Sequence, residues 1–255
     1  MQKGIPIRLI IMLGFILFSV GKYFLGTQKN PVTGENQRLS LSPAEEVVMG
    51  KQSAPEMAAQ FGGLYPDDNV QLKVQAIGQK IIRSTEASKS PYEFHFYALA
   101  DANTVNAFAL PGGQIFITMA LLNRLKTEDE IAGVLGHEIG HVINRHSAEH
   151  MAKSGLISGI VNGIVMGSGS MSTAQVAQYV GQLVDLKYGR NDELESDAYG
   201  VRYMHQSGYN PKALITVMEV LKEASGGGTR NEFMSSHPSP ENRVQKIQEE
   251  IAKLK

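Results

Sequence analysis

The stretch His137-Glu138-Ile139-Gly140-His141 decides how the rest of this 255-residue chain is interpreted. Residues four apart on a helix lie on one face, so the imidazoles of His137 and His141 can bind one metal ion together. Glu138 follows the first histidine, which lets its carboxylate reach a water on that ion rather than the ion itself. This H-E-x-x-H pattern is typical of zinc hydrolases.

The residues around the motif place it inside a helix. Thr127 and Glu130 have the spacing of a capping box, which predicts a helix that begins just before the motif. Apolar residues then recur at three- and four-residue steps, as in a buried helix. These are Ile131, Val134, Leu135, Ile139, Val142 and Ile143. Because glycine costs about 1 kcal/mol relative to alanine in a helix, Gly133, Gly136 and Gly140 indicate that another backbone or a substrate lies close.

A zinc hydrolase holds its metal with three protein groups and keeps a fourth position for water. The dense acidic cluster of the chain lies downstream, in residues 190–197, where Glu193 and Asp197 share a helix face and Glu195 points elsewhere. One of the pair can ligate zinc while the other accepts the ring N–H of a ligand histidine. The alternative is a solvated acidic helix face, which the upstream motif makes the less favoured interpretation.

These motifs together resemble the HtpX, BepA, LoiP and Oma1 kind of zinc metalloendopeptidase. Three further stretches and one dipeptide extend the resemblance over nearly the whole chain beyond its leader. They are Asn30-Pro31-Val32-Thr33-Gly34, Asn106-Ala107-Phe108-Ala109-Leu110-Pro111-Gly112-Gly113, Ser236-His237-Pro238-Ser239 and Arg145-His146. The resemblance implies a mostly helical α+β, zincin-like domain with one small β-sheet beside the H-E-x-x-H helix.

The same resemblance assigns roles to the residues of the motifs. It implies one Zn²⁺ per chain, held by His137, His141 and Glu193, with Glu138 as the catalytic base. Asp197 becomes a supporting residue that contacts a ligand histidine.

Further candidates for the site come from the residues near these motifs. Tyr188 and Arg190 are candidates for contacting the oxyanion or for ordering the helix of Glu193. The remaining histidines, His146 among them, have no ligand-like spacing to a second motif, and we expect them to be structural.

His237 is the further candidate for catalysis. A histidine ahead of Pro238, outside the two ligand helices, can stabilise the oxyanion, or it can occupy the fourth zinc position and inhibit the enzyme. The alternative is a helix-entry residue, because Ser239-Pro240 has the pattern of an N-cap followed by the first helical position.

A peptidase must also hold an extended chain. After Pro111-Gly112-Gly113, the residues Gln114, Ile115, Phe116 and Ile117 read as a short strand bounded by turn residues. We expect this to be an edge strand that pairs with the substrate main chain. The alternative is a buried strand of a small sheet.

Other local signals outline the elements around the site. A capping box at Ser42 and Glu45 starts a helix, and a second helix is expected over 70–82, where apolar residues line one face. Strands are predicted near 93–99, 105–109 and 114–118, and Asn210-Pro211 and Ser239-Pro240 start the last two helices. A glycine-spaced apolar stretch, 155–167, predicts a helix packed over the active-site region, with membrane contact as the alternative.

The N-terminus predicts export. Lys3 and Arg8 precede an apolar run over 9–20, so residues 1–21 are interpreted as a signal peptide or a short N-terminal membrane anchor. Residues 22–41 form an extended arm, and residues 42–255 form the metallopeptidase domain. The protein is then periplasmic, or anchored to the inner membrane and facing the periplasm.

Composition excludes some classes of function. The chain has no cysteine, which excludes a lipoprotein acylated on cysteine. A net charge of -1 without a basic run argues against a nucleic-acid partner. The resemblance suggests unfolded or misfolded envelope polypeptides as substrates, in protein quality control. Two alternatives are a chaperone-like module that binds without turnover and a peptidase that processes small peptides.

Overall fold

A computed structural model describes the chain over 27–153, 187–226, 230–238 and 242–254, and at the single positions 172, 176, 180, 181 and 183. Three predicted features lie outside these ranges. They are the leader, the helix over the glycine-spaced stretch 155–167 and the helix start at Ser239-Pro240. Among the described residues, no helix is both long enough and apolar enough to cross a membrane.

Helices make up most of the described chain, and short strands make up three small sheets. The helices are α1 (Pro43–Gln60), α2 (Asp68–Ser84), α3 (Met119–Leu122), α4 (Glu128–Ile143), α5 (His146–Lys153), α6 (Arg190–Gln206), α7 (Ala213–Gly226), α8 (Phe233–Ser236) and α9 (Arg243–Ala252). The strands are β1 (Thr27–Lys29), β2 (Asn36–Arg38), β3 (His95–Leu99), β4 (Thr104–Val105), β5 (Ala107–Leu110), β6 (Gln114–Thr118) and β7 (Arg230–Asn231). The predicted mostly helical α+β class is confirmed.

The predicted helix starts are confirmed where they rest on capping boxes. Thr127 and Glu130 form the reciprocal side-chain and backbone hydrogen bonds of a capping box at the start of α4. Ser42 and Glu45 do the same at the start of α1. Each box satisfies backbone N–H groups that have no partner inside the first helical turn. The H-E-x-x-H motif therefore lies well inside a helix that has a fixed beginning.

The order of strands in the three-stranded sheet corrects one prediction. The order is β3-β6-β5, so β6 is the central strand, parallel to β3 and antiparallel to β5. The prediction that Gln114–Thr118 is an edge strand for substrate is therefore wrong, and its buried alternative is right. All five residues are buried. Successive apolar residues such as Ile115, Phe116 and Ile117 suit a strand that is covered on both faces.

Strand β5 occupies the edge position that was expected of β6. Thr118 N donates to Asn106 O over 3.0 Å, so these two residues, which lie opposite each other, form a hydrogen-bonded pair of the β5–β6 ladder. Hydrogen-bonded and non-hydrogen-bonded pairs alternate along an antiparallel ladder. Ala107 and Ala109 therefore belong to non-hydrogen-bonded pairs, and their N–H and C=O groups point away from β6. Within the described ranges no strand pairs with that side of β5.

Helices α4 and α6 pack closely along a line of glycines. A Cβ atom added at Gly140 would lie 3.0 Å from the Cα and carbonyl oxygen of Ser196, and one at Gly200 would lie 3.3 Å from the amide nitrogen of His137. The expectation that another backbone approaches the motif helix is confirmed. This close packing brings the acidic residues of α6 to the histidines of α4.

The predicted arm contains a hairpin of strands β1 and β2 that packs behind the motif helix. Asn30 Nδ2 donates to the carbonyl oxygen of Ile143 over 2.8 Å, and Gln37 Nε2 donates to that of Asn144 over 2.5 Å. The last carbonyls of a helix lack partners within it. The hairpin therefore caps the C-terminus of α4 with side chains from the far end of the sequence.

Candidate metal centre

Four side chains from three parts of the chain converge at one buried point. His137 and His141 on α4, Glu193 on α6 and His237 after α8 each place one donor atom within 4.8 Å of the others. The two imidazole Nε2 atoms of α4 are 3.0 Å apart. The carboxylate of Glu193 lies 3.5 Å from the first of them and 3.4 Å from the second. All four residues are at most 1 % exposed, so the cluster is shielded from bulk water.

Asp197, one helical turn after Glu193, orients the first histidine. The His137 Nδ1–H donates to Asp197 Oδ1 over 2.9 Å. Burial raises the pKa of this carboxyl, but the neighbouring Arg243 and His137 outweigh it and hold the pKa below its usual value. An ionised acceptor at Nδ1 keeps the proton on that nitrogen, so Nε2 presents its lone pair to the centre.

Arg243, at the start of α9, is a member of the site that the sequence did not reveal. Its Nε and Nη2 donate to the two oxygens of Asp197 over 2.6 and 2.9 Å, and Nη1 lies 3.1 Å from Glu193 Oε2. Arg190, the predicted arginine, is exposed at the first residue of α6. The ordering contact expected of it is made by Arg243. No short-range spacing links Arg243 to either motif, so only the fold brings it there.

Glu138 has the environment of a proton acceptor. It is fully buried, and neither carboxylate oxygen has a hydrogen-bond partner among the described residues. Burial raises the pKa of this carboxyl, against the opposing effect of His237 and His137. A base with a raised pKa holds a transferred proton more readily than an ordinary carboxylate does.

His237 lies inside the donor cluster. Its Nδ1 is 3.0 Å from Glu193 Oε1 and 3.4 Å from His137 Nε2, while its Nε2 is 3.7 Å from Glu138 Oε1. Its ring stacks on Phe233 with the centroids 4.3 Å apart. The structure thus brings this histidine to the motif, as both catalytic interpretations require.

Tyr188 packs directly against the second histidine. Its ring stacks on His141 with the centroids 3.9 Å apart, and its hydroxyl lies 2.8 Å from Ser147 Oγ. Its backbone N–H donates to Ser236 O over 2.9 Å, which ties this segment to the loop that carries His237. Tyr188 therefore limits the movement of the His141 ring and of that loop together.

The charges of the buried groups fit a divalent cation. Three buried carboxylates, Glu138, Glu193 and Asp197, face one buried guanidinium, that of Arg243. Buried charges are costly unless they are paired, so a cation held by the histidines and Glu193 would lower the cost of burying these carboxylates. Imidazole nitrogens with a carboxylate oxygen are also a donor set that zinc hydrolases use. The residues present therefore fit the metal.

An H-E-x-x-H helix joined by a glutamate from a second helix defines the class of zinc metallopeptidases. Comparison with known proteins identifies the family. Residues 68–251 match peptidase family M48, and the chain belongs to this family. Residues 68–251 are therefore a metallopeptidase domain of this family, and the resemblance found in the sequence is confirmed.

Several relatives illustrate the range of the family. The chain is 27 % identical to the beta-barrel assembly-enhancing protease of Yersinia pestis over 84 % of its own length and 45 % of the relative's. It is 31 % identical to the mitochondrial metalloendopeptidase OMA1 of Schizosaccharomyces pombe, over 89 % and 67 %. It is 28 % identical to the metalloprotease YcaL of Escherichia coli K12, over 84 % and 82 %. The chain thus spans about half the length of the assembly-enhancing protease.

Proposed function

We propose that this protein is an endopeptidase of the cell envelope that hydrolyses peptide bonds in misfolded or unassembled envelope proteins. The observation that carries the proposal is the outer edge of β5, which lies near the metal centre. Main-chain groups at a strand edge bind an extended polypeptide without requiring a particular sequence. Unfolded chains offer such segments, whereas folded proteins keep theirs paired.

The position of the cleft supports this assignment of β5. A small cleft of about 30 Å³ lies beside His237 and reaches the side chains of β5. Its lining includes Met57, Phe108, Ala109, Leu110, Tyr188 and His237. Ala107 and Ala109 are at most 5 % exposed, so a substrate can pair with this edge only once the edge is uncovered; a polypeptide paired there would run past this cleft and the donor cluster. Strand β5 therefore replaces β6 as the proposed substrate-binding strand.

The chemistry follows from the residues of the centre. We propose that His137, His141 and Glu193 hold one zinc ion, as the sequence analysis expected. Bound zinc would polarise the scissile carbonyl and lower the pKa of the attacking water. Glu138 takes a proton from that water and returns it to the leaving amine. Asp197 and Arg243 keep the ligands ionised and oriented while this proton moves.

His237 controls access to the centre in this proposal. Its Nδ1 lies among the donor atoms, at the place that a fourth ligand would take. With His237 there, water and substrate are excluded. Displacement of the His237 ring would open this position next to Glu138, whose Oε1 lies 3.7 Å from His237 Nε2.

The proposed location and substrate class rest on two further observations. The apolar leader of residues 1–21 has the pattern of an exported protein, either periplasmic or anchored to the inner membrane. The assembly-enhancing proteases of three bacterial species are among the relatives. We therefore propose misfolded envelope polypeptides as partners and no nucleic acid.

The test compares the full-length protein with Glu138→Gln, after equal zinc content has been shown by metal analysis. Each is incubated with an unfolded outer-membrane protein, with the same protein folded, and with short peptides. We expect the native protein to degrade only the unfolded form efficiently and Glu138→Gln to bind it without cleavage.

Three other outcomes would contradict the proposal. Equal cleavage by both proteins would exclude Glu138 as the base. Binding of the unfolded substrate without cleavage by the native protein or by His237→Ala would indicate a chaperone-like module. Cleavage of short peptides alone would indicate a peptidase that processes small peptides.

A further inference from the structure

The two histidines of the motif are supported in different ways. His137 donates its Nδ1–H to a buried carboxylate, that of Asp197. The corresponding nitrogen of His141 faces another imidazole, with its Nδ1 only 2.9 Å from His146 Nδ1. His146 is the first residue of α5 and is 2 % exposed. Two neutral ring nitrogens at this distance share one proton, and the ring that carries it determines what His141 presents to the centre.

Glu195 determines which ring carries the shared proton. Its Oε2 lies 3.1 Å from His146 Nε2. An ionised carboxylate only accepts hydrogen bonds, so a neutral His146 ring that pairs with it carries its proton on Nε2 and has an acceptor at Nδ1. His141 must then donate its Nδ1–H, which leaves its Nε2 unprotonated towards the donor cluster. The Ser196 hydroxyl also lies near His146 Nδ1, but at 3.4 Å it is farther away than His141 Nδ1 at 2.9 Å.

The opposite arrangement would block the site. If His146 carried its proton on Nδ1 and donated it to His141, the proton of a neutral His141 would be on Nε2. That atom lies 3.0 Å from His137 Nε2 and 3.4 Å from Glu193 Oε1, among the donor atoms. A protonated nitrogen there cannot ligate a metal.

We propose that His146 is a positioning residue that, held by Glu195, fixes the tautomer and ring orientation of His141. The proposal rests on the assignment of His141 as a zinc ligand under the proposed function. Helix α6 would then have two roles. One of its faces supplies Glu193 to the centre, and another supplies Glu195, which holds His146 against His141. Supporting hydrogen bonds of this kind typically change metal affinity by about 10–100-fold.

The residue before His146 holds it in position through an uncommon backbone conformation and buried hydrogen bonds. The preceding residue, Arg145, has a φ of 58°, a left-handed conformation that is uncommon for a residue with a side chain. Its buried guanidinium donates to Glu46 Oε1 over 2.6 and 2.9 Å and to the carbonyl oxygen of Leu41 over 2.8 Å. These contacts hold the sharp corner between α4 and α5. That corner brings the ring of His146 back onto His141.

The experiment measures zinc affinity of the full-length protein by competition with a chelator. His146→Leu removes the acceptor, His146→Asn keeps an acceptor near the Nδ1 position, and Glu195→Ala leaves the histidine but removes its carboxylate. His150→Leu, one turn further along α5, is the matched control, since His150 pairs with Asp192 instead. Imidazole ¹⁵N spectra of the zinc-bound protein report the tautomer of His141 directly.

We expect His146→Leu to weaken zinc binding about 10–100-fold, with a changed Nδ1–H signal for His141. His146→Asn should restore most of the affinity, Glu195→Ala should have an intermediate effect, and His150→Leu should bind as the native protein does. A merely structural role would lower stability without altering the ¹⁵N signal of His141, and the asparagine would not restore affinity.

Native affinity and an unchanged His141 signal in both His146→Leu and Glu195→Ala would overturn the proposal. Should His146→Leu fail to fold, Glu195→Ala decides the question alone. Failure of the ligand assignment is distinguishable, because His141→Leu would then keep native zinc affinity.

Discussion

Arg243 sets the electrostatic balance of the centre at the scale of single residues. Its guanidinium contacts both Asp197 and Glu193 and is 1 % exposed. Burial lowers the pKa of Arg243, but the two acidic partners outweigh it and raise the pKa, so the group stays charged. The carboxylates of α6 remain ionised in a buried place because this cation is there.

We therefore expect Arg243→Leu to lower the free energy of unfolding by about 3–5 kcal/mol, because it leaves buried charge without a partner. Zinc affinity should fall as well, since Asp197 would hold the ring of His137 less firmly. Urea denaturation and chelator competition measure the two effects. Arg243→Lys keeps the charge but not the paired hydrogen bonds, and should lie between leucine and the native residue. If Arg243→Leu were as stable as the native protein, the ion pairs of Arg243 would make no net contribution to the free energy of unfolding.

His237 gives a second prediction at this scale. If it occupies the fourth ligand position, His237→Ala should retain zinc and should hydrolyse an unfolded protein severalfold faster, because water and substrate reach the centre without displacing a side chain. Ser235→Ala, an exposed neighbour in the same segment, is the control. A fall in hydrolysis with zinc retained would assign His237 to the oxyanion instead.

At the scale of elements, the spacing of α4 and α6 decides whether a centre forms. A Cβ at Gly140 would lie 3.0 Å from backbone atoms of Ser196, which cannot move aside as a side chain can. A Cβ at Gly136 would lie 3.4 Å from Gly200, which is an ordinary contact. Two glycines on the same helix face thus differ in how much room they have.

We expect substitution by alanine to destabilise the protein at Gly140 but not at Gly136. Gly140→Ala should destabilise the protein by about 1–3 kcal/mol through overpacking and should weaken zinc binding, because α6 is displaced with its glutamate. Gly136→Ala should be neutral, or more stable by up to about 1 kcal/mol from helix propensity. Thermal unfolding and zinc titration of both variants provide the measurement. Equal effects would show that the helix spacing does not depend on the closest contact.

Local patterns predicted the elements better than they predicted the contacts between them. The capping box at Thr127 and the apolar periodicity of α4 depend on neighbours in sequence, so they could be recognised without the fold. The place of β6 in its sheet depends on which strands flank it, and a run such as Ile115-Phe116-Ile117 suits an edge less than a centre. Arg243 reaches Asp197 across 46 residues, a contact that one sequence does not encode in any spacing.

At the scale of the whole molecule, the N-terminal hairpin joins the site to the start of the described chain. Asn30 reaches Ile143 across 113 residues, and Gln37 reaches Asn144 across 107. Both acceptors belong to the corner that leads from His141 to His146. Residues that the sequence placed in an extended arm thus lie directly behind the centre.

We expect Asn30→Ala and Gln37→Ala each to lower the free energy of unfolding by about 1–3 kcal/mol, because each leaves a buried carbonyl without a partner. Amide hydrogen exchange should accelerate most at the C-terminal end of α4. Asn36→Ala, which is exposed on the same hairpin, should change neither quantity. If amide hydrogen exchange were the same in all three variants, water would replace the side-chain hydrogen bonds of the hairpin without loss of stability.

If β5 binds the substrate as proposed, the short length of its edge has a consequence for how targets are chosen. Its four residues span about 13 Å, so it can pair with only a few residues of an extended segment. A target then need not be globally unfolded, because a frayed terminus or a briefly opened loop of that length is sufficient. The rate at which a protein is degraded would follow the free energy of its least stable local opening. The peptidase would thereby rank its targets by local stability rather than by sequence.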